Sequence, residues 1–156
     1  MADSRQGSIS HVISSDMRVV MDTCVLVSAL RTPNGASNFL MKAALGRLVT
    51  PLVSVPLVLE YEAVLTRPEL LSATGFSQAD AVTIVKAFCA QCDGVHLTTR
   101  IRPQLSDPAD EFVLETAVHG QADAIVTFNL KHFNPAANRF GIEVITPRDA
   151  LERLVK

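Results

Sequence analysis

The chain of 156 residues matches the roughly 100–200 residues of a single domain; at 48% apolar and only 19% charged, it is not a disordered, fibrous or polyelectrolyte chain. Sixteen acids against fourteen bases leave a net charge of -2, which argues against a surface that is one nucleic-acid footprint but allows a local site. The apolar stretch Val53–Leu59 is broken by Ser54 and Pro56 and falls far short of the ~20 residues that span a bilayer, so no membrane insertion is expected.

Residues 1–16 are serine-rich, with Ser4, Ser8, Ser10, Ser14 and Ser15, and lack an apolar run of signal-peptide length; they read as a loose N-terminal extension, with the folded domain at 17–156. Val19-Val20-Met21, closed by Asp22, has the composition of a buried strand. Ser37 reads as the cap of a helix over 38–46. Leu48–Val53 reads as a strand, and Ser54 with Pro56 opens a helix to about Leu65. Ser77 with Asp80 resembles a capping box for a helix to about Cys92, with Ala79, Val82, Val85 and Phe88 or Cys89 as its apolar stripe. A strand at Gly94–Leu97 follows. Asp107-Pro108 starts a helix that ends with Gly120 as its C′ residue. Strands at Ala124–Thr127 and Ile142–Ile145 precede a final helix opened by Thr146-Pro147. Alternating strands and helices predict an α/β fold with a mostly parallel sheet of four or five strands covered on both faces.

In such sheets ligands bind outside the carboxyl ends of the strands. Asp22, Thr127 and Asn129 fall there, and a right-handed crossover brings Asp107 and Asp110 to the same rim. Asp107 is read first as a helix cap and so as a supporting residue. Asp110 is less easily explained as a capping-box partner, because Glu111 would serve the helix dipole equally well. With no helix expected directly after it, Asp22 closes a buried strand and needs a partner. Glu60 lies in the otherwise apolar run Val55–Leu65. Acids converging at one rim raise each other's pKa unless a cation holds them ionised. An all-oxygen set without a convincing His or Cys ligand selects Mg²⁺ or Mn²⁺ over Zn²⁺, and these ions serve phosphoryl chemistry.

Other signals are weaker. Cys24, Cys89 and Cys92 are an odd number in a chain that needs no disulfide, so reduced thiols and a cytoplasmic protein are expected. Cys89 and Cys92 form a single C-x-x-C with no second pair for zinc. Of His11, His96, His119 and His132, only the last falls near the expected rim. No Gly-rich phosphate loop or G-x-S-x-G motif is present.

Four segments, Val19–Leu30, Glu60–Pro68, Asp107–Asp110 and Ala122–Asn129, resemble PIN domains (PilT N-terminal), and more narrowly the branch of toxin components of bacterial toxin–antitoxin systems related to VapC-type ribonucleases. The resemblance runs from about Met17 to the C-terminus. It implies a three-layer α/β/α fold whose acidic pocket binds Mg²⁺ or Mn²⁺ and cuts RNA. By position, Asp22, Glu60 and Asp110 match the three acids that carry metal and catalysis. Asn129 stands where many PIN domains have a fourth aspartate and supplies an amide oxygen without charge, which bears on a second metal ion. Thr127 matches a supporting hydroxyl, with Thr23 and Asp107 also in supporting places. Ten of the fourteen bases are arginine, suited to bidentate phosphate contacts; Arg31, Arg67, Lys131 and His132 are the RNA-binding candidates nearest the acids. The resemblance also implies an RNA substrate and a small antitoxin partner, and the low charge content suggests an apolar patch for that partner or for a homo-oligomer. The contrasting reading is a catalytically silent PIN fold that acts as an RNA- or protein-binding module.

Overall fold

A computed structural model describes residues 17–98, 104–105 and 107–155. Residues 1–16, assigned above to an extension, lie outside the described residues. The order of elements is β1 (Arg18–Met21), α1 (Thr23–Arg31), α2 (Ala36–Leu45), β2 (Thr50–Val53), α3 (Val55–Leu65), α4 (Pro68–Thr74), α5 (Gln78–Ala90), β3 (Asp93–Gly94), α6 (Pro108–His119), β4 (Ala124–Val126), α7 (Leu130–Arg139), β5 (Glu143–Ile145) and α8 (Pro147–Leu154). The five strands form one sheet in the order β3-β2-β1-β4-β5, and every neighbouring pair is parallel. Helices flank it to give an α/β/α sandwich.

The central strands have no polar face because both faces are covered. Val19, Val20, Ala124, Ile125 and Val126 are all 0% exposed. In β1 and β4 the register pairs Val19 with Ala124, Val20 with Ile125 and Met21 with Val126. Continued by one residue, that register sets Asp22 beside Thr127, and the Asp22 amide donates to the Val126 carbonyl at 2.9 Å. From β1 the sheet grows through β2 to one edge and through β4 to the other, so the switch point lies between β1 and β4. Asp22 and Thr127 stand at its carboxyl end.

Several local expectations are corrected. A helix does start directly after Asp22: α1 begins at Thr23, and Asp22 is its N-cap residue with extended backbone. The run Thr23–Arg31 is rich in apolar and β-branched residues, so its composition hid a helix whose Val25, Leu26 and Ala29 are buried. Helix α2 is capped by Gly35, not Ser37; Ser37 is buried within the first turn, and its hydroxyl has no hydrogen-bond partner. The α5 capping box of Ser77 and Asp80 is present and Val85 and Phe88 of the expected stripe are buried, but Ala81 takes the place of Ala79 and Val82, and the helix ends at Ala90. Strand β3 is only Asp93–Gly94, extended by a bond from the Val95 amide to the Val53 carbonyl at 2.7 Å. Gly120 is the C-cap residue of α6 in a right-handed conformation, φ -86°. A side chain there would meet Val95 at 2.8 Å and Leu52 at 2.9 Å, so close packing, not left-handed backbone, requires the glycine. Helices α4 and α7 were not expected; α7 contains Pro135, whose presence argues against helix in a sequence reading.

Candidate active site at the carboxyl rim

Asp22 is 5% exposed and occupies an N-cap position, yet its carboxylate makes no capping hydrogen bond. It turns to β4 instead. Its Oδ2 accepts from the Thr127 hydroxyl at 2.7 Å and from the Cys24 thiol at 3.3 Å, while Oδ1 accepts nothing among the described residues. The Thr127 hydroxyl accepts in turn from the Asn129 amide at 3.0 Å. The hydrogen of this buried hydroxyl and one of its lone pairs are thereby fixed, and it ties β1 to the turn that enters α7. Burial first, and then the Asp22 charge, push the Cys24 thiol up to about 11, so it stays a neutral donor to the carboxylate at neutral pH.

Asp107 and Asp110 reach the same rim from the start of α6. The side chain of Asp107 is a true cap, accepting from the Ala109 amide at 2.9 Å. Asp110 makes no reciprocal bond, so no capping box forms. Its Oδ2 instead meets His132 Nε2, from the first turn of α7, at 2.8 Å. Burial, then the charge of Asp22, then that of Asp107, raise the Asp110 carboxyl above its ordinary range; His132 partly opposes the rise. Glu111 is not idle at the helix start, because its Oε2 accepts from the amides of Gln104 at 2.7 Å and of Leu105, holding the chain that leads into α6.

The remaining candidates stand further out. Glu60 is half-buried on α3, whose core stripe is Leu57, Tyr61 and Leu65, and among the described residues its carboxylate makes no hydrogen bond or ion pair. It lies one turn before Val64 and two before Arg67, which line a groove with Val27 and Arg31 of α1. Helix periodicity therefore sets Glu60 on the α1-facing edge of α3. Asn129 caps α7 only by position and makes no side-chain cap bond. Thr23 is buried in the first turn of α1. Lys131 is exposed, as are Arg31 and Arg67. Sequence reasoning missed Cys24 as a partner of Asp22. It also missed Tyr61, a fully buried ring whose hydroxyl donates to the Met21 carbonyl immediately before Asp22; the spacing of α3 placed that ring in the core but gave no sign of its hydroxyl's target.

Among the described residues no three His, Cys, Asp or Glu side chains are gathered closely enough to hold a metal ion. A cation here would be held by two carboxylates, Asp22 and Asp110, with water filling the rest of its shell, the manner in which Mg²⁺ is bound. The repulsion from Asp22 and Asp107, which adds to burial in raising the Asp110 carboxyl, is the charge excess such an ion would cancel. The donor set fits a hard divalent ion.

The family model described as the PIN domain matches residues 18–131, from the first residue of β1 to the first turn of α7. The chain belongs to the PIN-domain family. No curated protein matches it. PIN domains are in general nucleases that act on nucleic acid with divalent metal ions. In this PIN domain the matched span includes Asp22, Glu60, Asp107, Asp110, Thr127 and Asn129 and stops one residue before His132. No helix among the described residues is long and apolar enough to cross a membrane.

Proposed function

We propose that this PIN domain is a Mg²⁺- or Mn²⁺-dependent endoribonuclease and the toxin of a toxin–antitoxin pair. The observation that carries the nuclease reading is the convergence of Asp22, Asp107 and Asp110 at the switch point, with His132 as the one ion-pair partner among the described residues, while burial first and then the charges of Asp22 and Asp107 raise the Asp110 carboxyl. The toxin role rests on the resemblance to the VapC-related branch. It brings with it a cytoplasmic setting, an antitoxin segment that covers the acidic pocket, and a homo-oligomer.

Asp22 and Asp110 would hold the cation, with water filling the rest of its shell and Glu60 completing the set through such a water. When bound, the ion would offset the charge developing on the phosphodiester and polarise the attacking water. Thr127 and Cys24 fix one oxygen of Asp22, so the carboxylate is oriented before any ligand arrives. Glu60, without a partner among the described residues, would orient the attacking water or take its proton, and Asn129 would hold a further water through its amide oxygen. In-line displacement of the 3′ oxygen leaves a 5′-phosphate and a 3′-hydroxyl. The test is RNA cleavage by the wild type and by Asp22→Asn in Mg²⁺, with and without chelator: wild type alone should cut, and only without chelator. Equal cleavage in all four tubes would sink the proposal. A calorimetric titration with no Mn²⁺ uptake would favour the silent binding module.

A further inference from the structure

Beside the acids, a groove of about 440 Å³ is lined by Cys24, Val27, Ser28, Arg31 and Thr32 of α1 and its C-cap, and by Phe128 from the turn after β4. That size falls within the range of ~300–1,000 Å³ typical of ligand clefts. Its inner end touches the candidate site, since the Cys24 thiol donates to Asp22. Phe128 follows a fully buried threonine, yet it is 51% exposed. It sits between Thr127, whose hydroxyl donates to Asp22, and Asn129, whose amide donates to that hydroxyl, so the ring is carried at the groove wall by a tied main chain. An exposed phenylalanine alone is ordinary. This one shares its groove with Arg31, which among the described residues pairs with no carboxylate. Past Val27 and Arg31 a second groove continues to Arg67, so two arginines lie on one path leading from the acids.

We propose that the Phe128 groove is a nucleobase subsite for single-stranded RNA, with the base next to the scissile phosphate stacked on Phe128 and the following phosphates met by Arg31 and then Arg67. The inference rests on the nuclease reading of the site. Stacking on a side chain requires a base free of its own helix, which selects single strands, and it tolerates any base because each offers a π-face. Guanidinium groups suit the phosphates that follow. The Ser28 and Thr32 hydroxyls offer donors and acceptors to whichever base edge enters.

The chain contains no tryptophan, so Phe128→Trp places a single fluorescent reporter in the groove. Combined with Asp22→Asn to spare the RNA, its emission should be quenched saturably by a single-stranded oligoribonucleotide. An abasic strand of the same length or a blunt RNA duplex should not quench it. In the active enzyme, Phe128→Ala should raise KM for RNA at least about fivefold, and Phe128→Tyr should restore it; Mn²⁺ affinity should be unchanged in both. Equal quenching by the abasic strand or the duplex, or an unchanged KM in Phe128→Ala, overturns the subsite. Cleavage by the wild type without quenching in the reporter overturns the subsite alone. Quenching without cleavage by the wild type overturns the nuclease reading alone.

Discussion

The two rims of the sheet carry the same residue type in opposite states. At the amino-terminal rim each acid is answered. Asp123 accepts from the Arg18 amide at 2.8 Å, Asp93 meets the Arg18 guanidinium at 3.3 Å, and the same guanidinium reaches the Gly120 carbonyl at 2.9 Å. At the start of β5, Glu143 is gripped by Arg153 through two bonds of 2.7 and 2.9 Å. At the carboxyl-terminal rim Asp22 and Asp107 act on Asp110 through like charge, and among the described residues only His132 makes an ion pair with any of the three. One carboxyl on each rim marks the contrast: Arg153 lowers Glu143, whereas burial and like charge raise Asp110. A carboxylate matched by its own cation is part of the scaffold, and several that share one histidine are charge held in place for a ligand.

The largest break in this contrast comes from neutralising the carboxyl rim. Asp110→Asn should reduce RNA cleavage at least about a hundredfold, yet in metal-free buffer at pH 7 a urea titration should find it no less stable than wild type, because a repulsion has been removed. The pH dependence has a definite sign. Between the ordinary carboxyl value of 3.8 and the raised native one, the native state keeps a proton that the unfolded chain has released. Wild-type stability from this group therefore falls as pH rises through that window, and Asp110→Asn should flatten the slope.

Next in size is Thr127→Val, which removes the buried donor to Asp22 and the acceptor for the Asn129 amide. It should cost about 1–3 kcal/mol in denaturant unfolding and weaken Mn²⁺ uptake measured by calorimetry. Asp107 separates scaffold from charge: Asp107→Ala should lose roughly 1 kcal/mol with the cap, whereas Asp107→Ser should keep the helix and let the Asp110 carboxyl, followed by NMR titration, move back toward its ordinary range. The smallest effect belongs to the opposite rim. Glu143→Gln should cost no more than about 1 kcal/mol, less at high salt. The native pair's contribution is present above 4.5, the ordinary value for this carboxyl, and is lost as pH falls through the lowered native one.

Much of the scaffold was legible because its signals are local. The parallel strands follow from apolar runs, the α5 capping box from Ser77 and Asp80, and the start of α6 from Asp107-Pro108. Where the reading failed, a long-range term prevailed. Ser37 has the chemistry of a cap, yet burial of the first turn of α2 moved that role to Gly35. Gly120 reads as a left-handed terminus, but Leu52 and Val95 from neighbouring strands make it a packing glycine. The helix after Asp22 was hidden because the apolar residues of α1 suit a strand as well as a helix, and only the layer beneath decides between them.

The sequence by itself determined an α/β sheet, the identity of the acids and their positions at strand ends and helix starts, since alternation, capping and turn chemistry act over a few residues. Tertiary structure alone decided which acids are partnered. Strand register put Thr127 against Asp22, the crossover through α6 delivered Asp110 to His132, and α3 left Glu60 without a partner among the described residues. Those outcomes depend on contacts between residues as far as about a hundred positions apart, such as the 105 separating Asp22 from Thr127, and electrostatic pairing follows distance in space, which the order of residues along the chain does not encode locally.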